Sequence, residues 1–307
     1  MNIYLPIAEL SANVYYLLGL GGIAGLLSGL FGIGGGFILT PMLIFVGIPP
    51  AVAVATSTNM IVASSFSGFL SHHKRRGVDI KMGSYLIAGG LLGAIVGVSI
   101  FLSLQKLGQI DLMITLLYVT LLCFVSALMV REARHSLREL REPHLHHPIK
   151  PLTLPQWVQR LPLQRYFQRS NVRHSVFVPI SIGVFSGILV GLLGVGGGFI
   201  MVPMMVYILG MPREATVGTS LFQIIFITAA ATLLHAVTTH TVDILLAAVL
   251  LIGSTVGAQF GVRIGQRLPH HLLKWLMAGM LLLVAARLGY GLFITPPEMF
   301  TFTILSK

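Results

Sequence analysis

The chain has few charged residues. Only 9% of its 307 residues are Asp, Glu, Lys or Arg, whereas soluble domains carry about 25%. Hydrophobic residues make up 55% of the sequence, and several of the apolar runs approach the length of about 20 residues that a bilayer requires. The composition therefore predicts an integral membrane protein with several helices. The runs are continuous rather than alternating, which excludes a membrane β-barrel.

Cysteine is nearly absent. Cys123 is the only one and lies in an apolar run, so neither a disulfide framework nor a cysteine-based metal site is expected. No apolar run holds a paired Ser and His or a carboxylate dyad, and we therefore expect no enzyme, metal or other cofactor. The N-terminus lacks a basic region before its first apolar run, so it does not resemble a cleaved signal peptide.

Acidic residues are also scarce: nine Asp and Glu stand against 20 Lys and Arg, for a net charge of +11. In a soluble protein this excess would suggest a nucleic-acid partner. Here the basic residues lie between the apolar runs, where the orientation rule for membrane proteins explains them better. We therefore expect a lipid bilayer, and no nucleic acid, as the surroundings of this chain.

Two glycine-rich stretches stand out against this apolar background. Residues 29–41 read GLFGIGGGFILTP and residues 191–203 read GLLGVGGGFIMVP, and nine of the thirteen paired positions are identical. Each glycine in a helix costs about 1 kcal/mol relative to alanine. Both stretches interrupt apolar segments too long for a single span, so the sequence predicts a break in a helix at each of them.

The similarity extends beyond the glycines. Each break is followed at matched spacing by a proline, a Thr-Ser pair, a histidine and an aspartate: Pro49 and Pro212, Thr56-Ser57 and Thr219-Ser220, His72 and His235, Asp79 and Asp243. The sequence predicts an all-α integral membrane protein with two homologous halves, each with a glycine-broken helix and three spanning helices. We assign residues 1–130 and 176–307 to the halves and residues 131–175 to a basic cytoplasmic linker.

The positions of the basic residues favour one topology. If each broken segment enters and leaves on the same side, the halves are inverted repeats, and 17 of the 20 Lys and Arg face the cytoplasm. If each segment crosses once, a basic loop faces the wrong side. We therefore expect re-entrant segments, a multi-pass membrane location, cytoplasmic basic loops and both termini outside.

The breaks are also the candidate site. A helix that starts after each glycine run would present free N–H groups and a partial positive charge, which suit a small anion. Hydroxyl and amide side chains lie at similar depth. The predicted substrate-binding residues are Gly34, Gly35, Gly36, Ser57, Thr58, Asn59, Gly196, Gly197, Gly198, Thr219, Ser220 and Gln223.

Structural explanations stay open for the same residues. The glycines, including the Gly93 and Gly97 pair, can serve close helix packing, and the Ser and Thr hydroxyls can bond neighbouring helices. His72 and His235 lie at predicted helix ends, where they can handle protons or pack at the interface. Arg287 lies inside the last span, where it can reach the interface or contact an anion.

The two glycine stretches, each followed by a proline and a Thr-Ser pair, resemble the sulfite exporter TauE/SafE family. The resemblance covers both halves, about residues 14–130 and 177–294. It implies a bacterial inner-membrane transporter of small sulfur-containing anions such as sulfite or sulfonates. Our expectation is a secondary transporter that works by alternating access, with proton coupling and a homo-oligomer both open. An anion channel and an intramembrane enzyme are the alternatives.

Overall fold

A computed structural model of the protein describes residues 2–31, 36–74, 77–141, 162–167, 169–170, 172–265 and 267–293. Gly34 and Gly35 of the first glycine run lie outside these residues. Helices dominate the described chain, as the sequence predicts. In order they are α1 (Val14–Phe31), α2 (Gly36–Phe45), α3 (Pro50–Lys74), α4 (Ile80–Lys106), α5 (Ile110–Arg141), α6 (Phe177–Leu193), α7 (Gly198–Tyr207), α8 (Arg213–Thr238), α9 (Ile244–Gly265) and α10 (His270–Phe293).

Five of these helices are long and apolar enough to cross a membrane: α1, α4, α5, α8 and α9. This finding confirms a multi-pass helical membrane protein. Helix α3 has 25 residues but is more polar, because it carries the Thr-Ser-Thr-Asn run and further serines in its middle. Most of these polar side chains face the protein interior, since Thr56, Ser57, Thr58 and Ser65 are fully buried.

The described chain also contains two short β-hairpins, which the all-α prediction did not include. Strands β1 (Asn2–Leu5) and β2 (Leu10–Asn13) precede α1, and strands β3 (Gln164–Phe167) and β4 (Val172–Ser175) precede α6. Both pairs are antiparallel. An isolated two-stranded hairpin is marginally stable, so each depends on packing against helix ends. The segment assigned to the linker thus contains the end of α5 and the second hairpin.

Helix α2 returns toward the end of the molecule where α1 begins. One buried cluster contains Leu5 of the first hairpin, Leu17 near the start of α1, Leu43 near the end of α2 and Val52 near the start of α3. The start of α9 joins the same cluster through Leu250. The first broken segment therefore begins and ends on the same side of the fold.

The second broken segment has the same arrangement. Its cluster contains Phe167 of the second hairpin, Val178 near the start of α6, Met205 near the end of α7 and Ala215 near the start of α8. The start of α4 contributes Met82. Because each cluster unites the same five kinds of element, the two halves have matching local architectures.

Glycine seams join the halves to each other. In α1, a Cβ atom added to Gly21, Gly25 or Gly29 would meet the backbone of Leu250, Ser254 or Ala258 in α9. Gly89, Gly93 and Gly97 of α4 meet the backbone of α6 in the same way. At these positions only glycine permits the close approach. The partner numbers rise together along each seam, so the helices in each pair are parallel.

Helices α3 and α8, which occupy matched positions in the two halves, are antiparallel. In the α3–α8 pair, Thr58 bonds Thr232, whereas Phe69 packs against Phe222, so the numbers rise along one helix as they fall along the other. In the α5–α10 pair, Ser126 bonds the carbonyl of Ala278.

Candidate functional site

The second glycine run forms a sharp break between α6 and α7. Gly194 ends α6 with φ 65°, and Gly196 and Gly197 follow with φ 69° and 64°. Only glycine adopts this left-handed backbone readily at successive positions. Gly197 is the N-terminal cap of α7 and Gly198 is its first residue. The sequence analysis therefore located this break correctly. Glycine is needed at positions 194, 196 and 197 because the backbone there has positive φ angles.

At the second break, backbone N–H groups lack hydrogen-bond partners in the described chain, whereas the neighbouring backbone carbonyls have them. Among the residues that the structure describes, none accepts a hydrogen bond from the backbone N–H of Val195, Gly196 or Gly197. The carbonyls on the other side of the break do have partners. The Tyr118 hydroxyl donates to the carbonyl of Leu193 at 2.6 Å, and the residues from 191 to 198 are buried. An excess of buried N–H groups at a helix N-terminus is suited to an anion.

The start of α2, which follows the first glycine run, lies against the second break. Gly36 begins α2, and a Cβ atom built there would lie 3.1 Å from the carbonyl oxygen of Gly194. The same atom would collide with the side chain of Ile61 in the middle of α3. A Cβ built on Gly196 would lie 2.9 Å from Cγ2 of Ile61. Ile61 of α3 therefore lies next to both the start of α2 and the second break.

Ser57 connects the breaks through hydrogen bonds. Its hydroxyl lies 2.7 Å from the Thr40 hydroxyl in α2 and 3.3 Å from the Gly194 carbonyl oxygen. Thr40 in turn lies 3.3 Å from the carbonyl of Gly36. Of the predicted site residues in α3, Ser57 thus bonds both α2 and the second break, and the half-buried Asn59 bonds no described side chain. Thr58 instead bonds Ala55 and Thr232, as helix packing alone would require.

The predicted residues of α8 divide in the same way. Thr219 accepts a hydrogen bond from the Asp79 backbone N–H at 2.9 Å and donates to the Ala215 carbonyl at 2.6 Å. Ser220 donates to the Val217 carbonyl at 2.8 Å. Both hydroxyls are therefore occupied within the fold. Gln223 differs, since it is fully buried and neither its Nε2 nor its Oε1 has a hydrogen-bond partner in the described chain.

Two further unpartnered hydroxyls were missed by the sequence analysis. Ser186 in α6 and Ser65 in α3 are buried and have no hydrogen-bond partner among the described residues. The Ser186 hydroxyl lies directly against Gly197, at the break. A buried polar group without a partner costs about 1–3 kcal/mol. Such groups beside a donor-rich break are those that a bound ligand would satisfy. A comparison of the halves could have found Ser186, because the matched residue is Ala24.

Neither histidine lies among the unpartnered groups. His235 is buried, with Nε2 at 2.8 Å from the Gly191 carbonyl oxygen and its ring edge against Phe101. His72 is half-buried and has interactions of its own. Arg287 is exposed, with its guanidinium 5.3 Å from the centroid of the Phe45 ring. No cluster of three metal-ligating side chains occurs in the described segments.

Two buried aspartates tie the halves together outside the breaks. Asp79 caps α4 by accepting from the Met82 N–H at 3.1 Å, and its Oδ2 accepts from the Ser170 hydroxyl at 2.6 Å. Asp243 caps α9 in the same way, and its Oδ2 accepts from the Ile7 N–H at 3.2 Å. Each hairpin therefore bonds an aspartate of the other half. Thr56 completes the match, because its hydroxyl accepts from the Asp243 N–H.

Known proteins resemble this chain over most of its length. Probable membrane transporter protein YjnA of Bacillus subtilis is 30% identical over 86% of this chain and 95% of its own. Probable membrane transporter protein YunE of the same organism is 26% identical over 90% and 98%. Sulfite exporter TauE/SafE family protein 3 of Arabidopsis thaliana is 32% identical over 34% of this chain and 22% of its own. No solved structure matches. A profile described as sulfite exporter TauE/SafE matches residues 17–288, and the chain therefore belongs to this family of membrane transport proteins.

Proposed function

We propose that this protein is a secondary transporter of a small anion, of the sulfite or organosulfonate class, with its binding site where the two glycine breaks meet. The carrying observation is the contact of Gly36 with Gly194 next to backbone N–H groups and a Ser186 hydroxyl that have no hydrogen-bond partner in the described chain. Gln223 of α8 is included in the proposed site because its buried amide also has no partner among the described residues. Membership in the family and the names of its relatives support transport in general. The anion itself is part of the proposal.

The chemistry of the breaks supports an anion. The side chains at the breaks, Thr40, Ser57 and Ser186, are all neutral, so the site offers dipoles instead of a fixed positive charge. The N-terminus of a helix carries the equivalent of about half a positive charge, and a buried site strengthens that attraction. A neutral site holds an anion less tightly than Lys or Arg would, which favours release during a transport cycle.

The fold supports two inverted halves, at residues 1–130 and 176–307, joined by a cytoplasmic segment at 131–175. Helices α3 and α8 occupy matched positions in the halves and run in opposite directions. Each broken segment returns to the side where it began. Inverted repeats with discontinuous helices at the midplane are typical of secondary transporters. The proposed topology keeps both termini outside the inner membrane.

The glycine seams favour one kind of motion over another. A rocking of one half against the other would separate α1 from α9 and α4 from α6, whose backbones are in direct contact. Helices α2 and α7 have only 10 residues each and lie next to the breaks. We therefore propose that these short helices move while the seams stay closed. A role for His72 or His235 in proton coupling stays a prediction.

Flux measurements on purified protein in liposomes test this function. We expect uptake of at least one labelled anion among sulfite, sulfate, sulfoacetate and thiosulfate, driven uphill by a gradient of a coupling ion. Gly35→Leu and Gly197→Leu should each abolish the flux, because both place a bulky side chain at a break. Gly279→Leu is the control, since nothing lies within 4 Å of a Cβ at that glycine.

Normal flux in both break variants would overturn the proposed site. Flux that ignores every imposed ion gradient would identify an anion channel instead of a transporter. A chemical product formed from the anion would identify an intramembrane enzyme.

A further inference from the structure

The end of α6 and the start of α7 have opposite polarity. The last four carbonyl groups of a helix have no partner inside that helix, and together they carry the equivalent of about half a negative charge. Only residues 194–197 separate this end of α6 from the N-terminus of α7. Unpaired carbonyls there would repel the anion that the N–H groups of the second break attract. The hydrogen bonds of these carbonyls therefore decide what the break can bind.

Two buried side chains from other helices bond carbonyls at the end of α6. Nε2 of His235 in α8 lies 2.8 Å from the Gly191 carbonyl oxygen, and the hydroxyl of Tyr118 in α5 donates to the Leu193 carbonyl at 2.6 Å. A carbonyl oxygen only accepts hydrogen bonds, so Nε2 of His235 carries a hydrogen and is the donor. Both side chains are fully buried, so neither bond is exposed to solvent.

The neighbouring contacts have the same polarity. The Gly194 N–H donates to the Val190 carbonyl at 2.9 Å, and the Ser57 hydroxyl of α3 lies 3.3 Å from the Gly194 carbonyl oxygen. The carbonyls of residues 190, 191, 193 and 194 therefore have donors, whereas the N–H groups of residues 195–197 have no acceptor in the described chain. This difference leaves N–H groups available to a ligand at the second break.

Tyr118 reaches the break from outside the broken segment. Its helix α5 packs mainly against α10, and its ring lies in the buried cluster that contains Phe37 of α2 and Val195 of the second break. A phenylalanine would fill nearly the same space, and substitutions that conserve volume are tolerated well in a core. The packing of this cluster therefore does not require the hydroxyl. Its bond to the Leu193 carbonyl does.

We propose that Tyr118 and His235 are positioning residues for the transported anion. By bonding the carbonyls at the end of α6, they hold these acceptors away from the ligand and leave the N–H groups of the second break to bind it. An unpaired carbonyl beside the anion would repel it strongly, because charges and dipoles interact more strongly in a buried region than in water. Neither side chain needs to touch the anion. This inference rests on the proposed function, since it concerns the same site.

Tyr118→Phe tests the first of these bonds, because it removes the donor and keeps the ring. The assay measures uptake into liposomes of whichever labelled anion the wild type transports fastest among sulfite, sulfate, sulfoacetate and thiosulfate. We expect a KM about tenfold above the wild-type value, which corresponds to the loss of about 1.4 kcal/mol. The kcat should stay nearly unchanged, because the lost interaction affects binding of the anion.

Ser126→Ala is the matched control in the same helix. The buried Ser126 hydroxyl donates to the Ala278 carbonyl at 3.1 Å, so this variant also loses a bond from α5 to a backbone carbonyl. That carbonyl belongs to α10 and not to the break. Both variants should unfold at a lower temperature than the wild type without ligand, but only Tyr118→Phe should raise the KM.

Two substitutions of His235 test the second bond independently. A glutamine side chain carries an amide N–H donor, whereas a methionine side chain carries none. His235→Gln should therefore keep the KM near the wild-type value, and His235→Met should raise it about tenfold. A histidine with a purely structural role would give KM values that do not depend on the donor.

An unchanged KM in Tyr118→Phe and His235→Met would overturn this inference, as would a Ser126→Ala protein whose KM rises as much as that of Tyr118→Phe. Because the two bonds are tested separately, either one decides the question where a variant of the other fails to fold. Absence of any anion flux in the wild type would overturn the proposed function and this inference with it. Wild-type flux with an unchanged KM in the variants would overturn only the positioning role.

Discussion

Replacing Gly194 with alanine isolates the close approach between the second break and α3. Gly194 has φ 65°, and its Cβ would strike the carbonyl of Val54. Gly108 has nearly the same backbone, φ 68°, but nothing lies within 4 Å of its Cβ. Both alanine variants should lose about 1–2 kcal/mol to the left-handed conformation. Only Gly194→Ala should lose a further 1–3 kcal/mol, roughly, because a backbone must shift.

Thermal unfolding in detergent measures this difference. At about 2.1 cal/mol/K of unfolding entropy per residue, a change of 1 kcal/mol moves the midpoint of this 307-residue chain by about 1.5 °C. An extra loss of about 2 kcal/mol should therefore place Gly194→Ala about 3 °C below Gly108→Ala. The Gly194 carbonyl should also move away from the Ser57 hydroxyl, so anion flux should fall in this variant and not in the control.

Equal midpoints for the two variants would refute the reasoning. They would mean that the chain relaxes around a Cβ at the second break without loss, so the contact of Gly194 with α3 would not be tight in solution. A lower midpoint for Gly108→Ala than for Gly194→Ala would have the same meaning. In either case, the break would lose its defined position relative to Ser57.

Two further predictions concern the hairpins and the topology. Ser170→Ala should lower the free energy of unfolding by about 1.5–3 kcal/mol, since it removes a buried hydrogen bond to the Asp79 carboxylate; Ser84→Ala, which removes an exposed bond, should change it by less than about 0.5 kcal/mol. Equal effects in chemical or thermal unfolding would contradict a stabilising role for the bond between the second hairpin and Asp79. A reporter that fluoresces only in the cytoplasm should stay dark when fused after Lys307, and a bright fusion would refute the outward C-terminus.

Local rules were sufficient to predict the helices and the second break. Three positive φ angles at Gly194, Gly196 and Gly197 explain why the sequence repeats its glycines there. The hairpins escaped prediction because a four-residue strand has little local signal, and its stability depends on a distant aspartate. Ser170, for example, bonds Asp79 across 91 positions of the chain.

The predicted site residues separate by their hydrogen bonds, which sequence spacing does not reveal. Ser57 reaches both breaks, whereas Thr58 and Thr219 bond neighbouring helices. Gln223 has no hydrogen-bond partner among the described residues, in keeping with a binding role that stays a prediction. Ser186 was overlooked because a serine in an apolar helix usually bonds a carbonyl one turn earlier, and the difference from its matched residue Ala24 was not used.

The glycine seams also set the order in which this protein can fold during synthesis. Gly21 of α1 packs on Leu250 of α9, which leaves the ribosome about 230 residues later. At about 5–20 residues per second, α1 waits roughly 10–50 s for its partner. During that time its glycine face is in contact with lipid or with another protein. The first half is therefore synthesised before the helix that covers the glycine face of α1. The tight packing of that face forms only after most of the chain has entered the membrane.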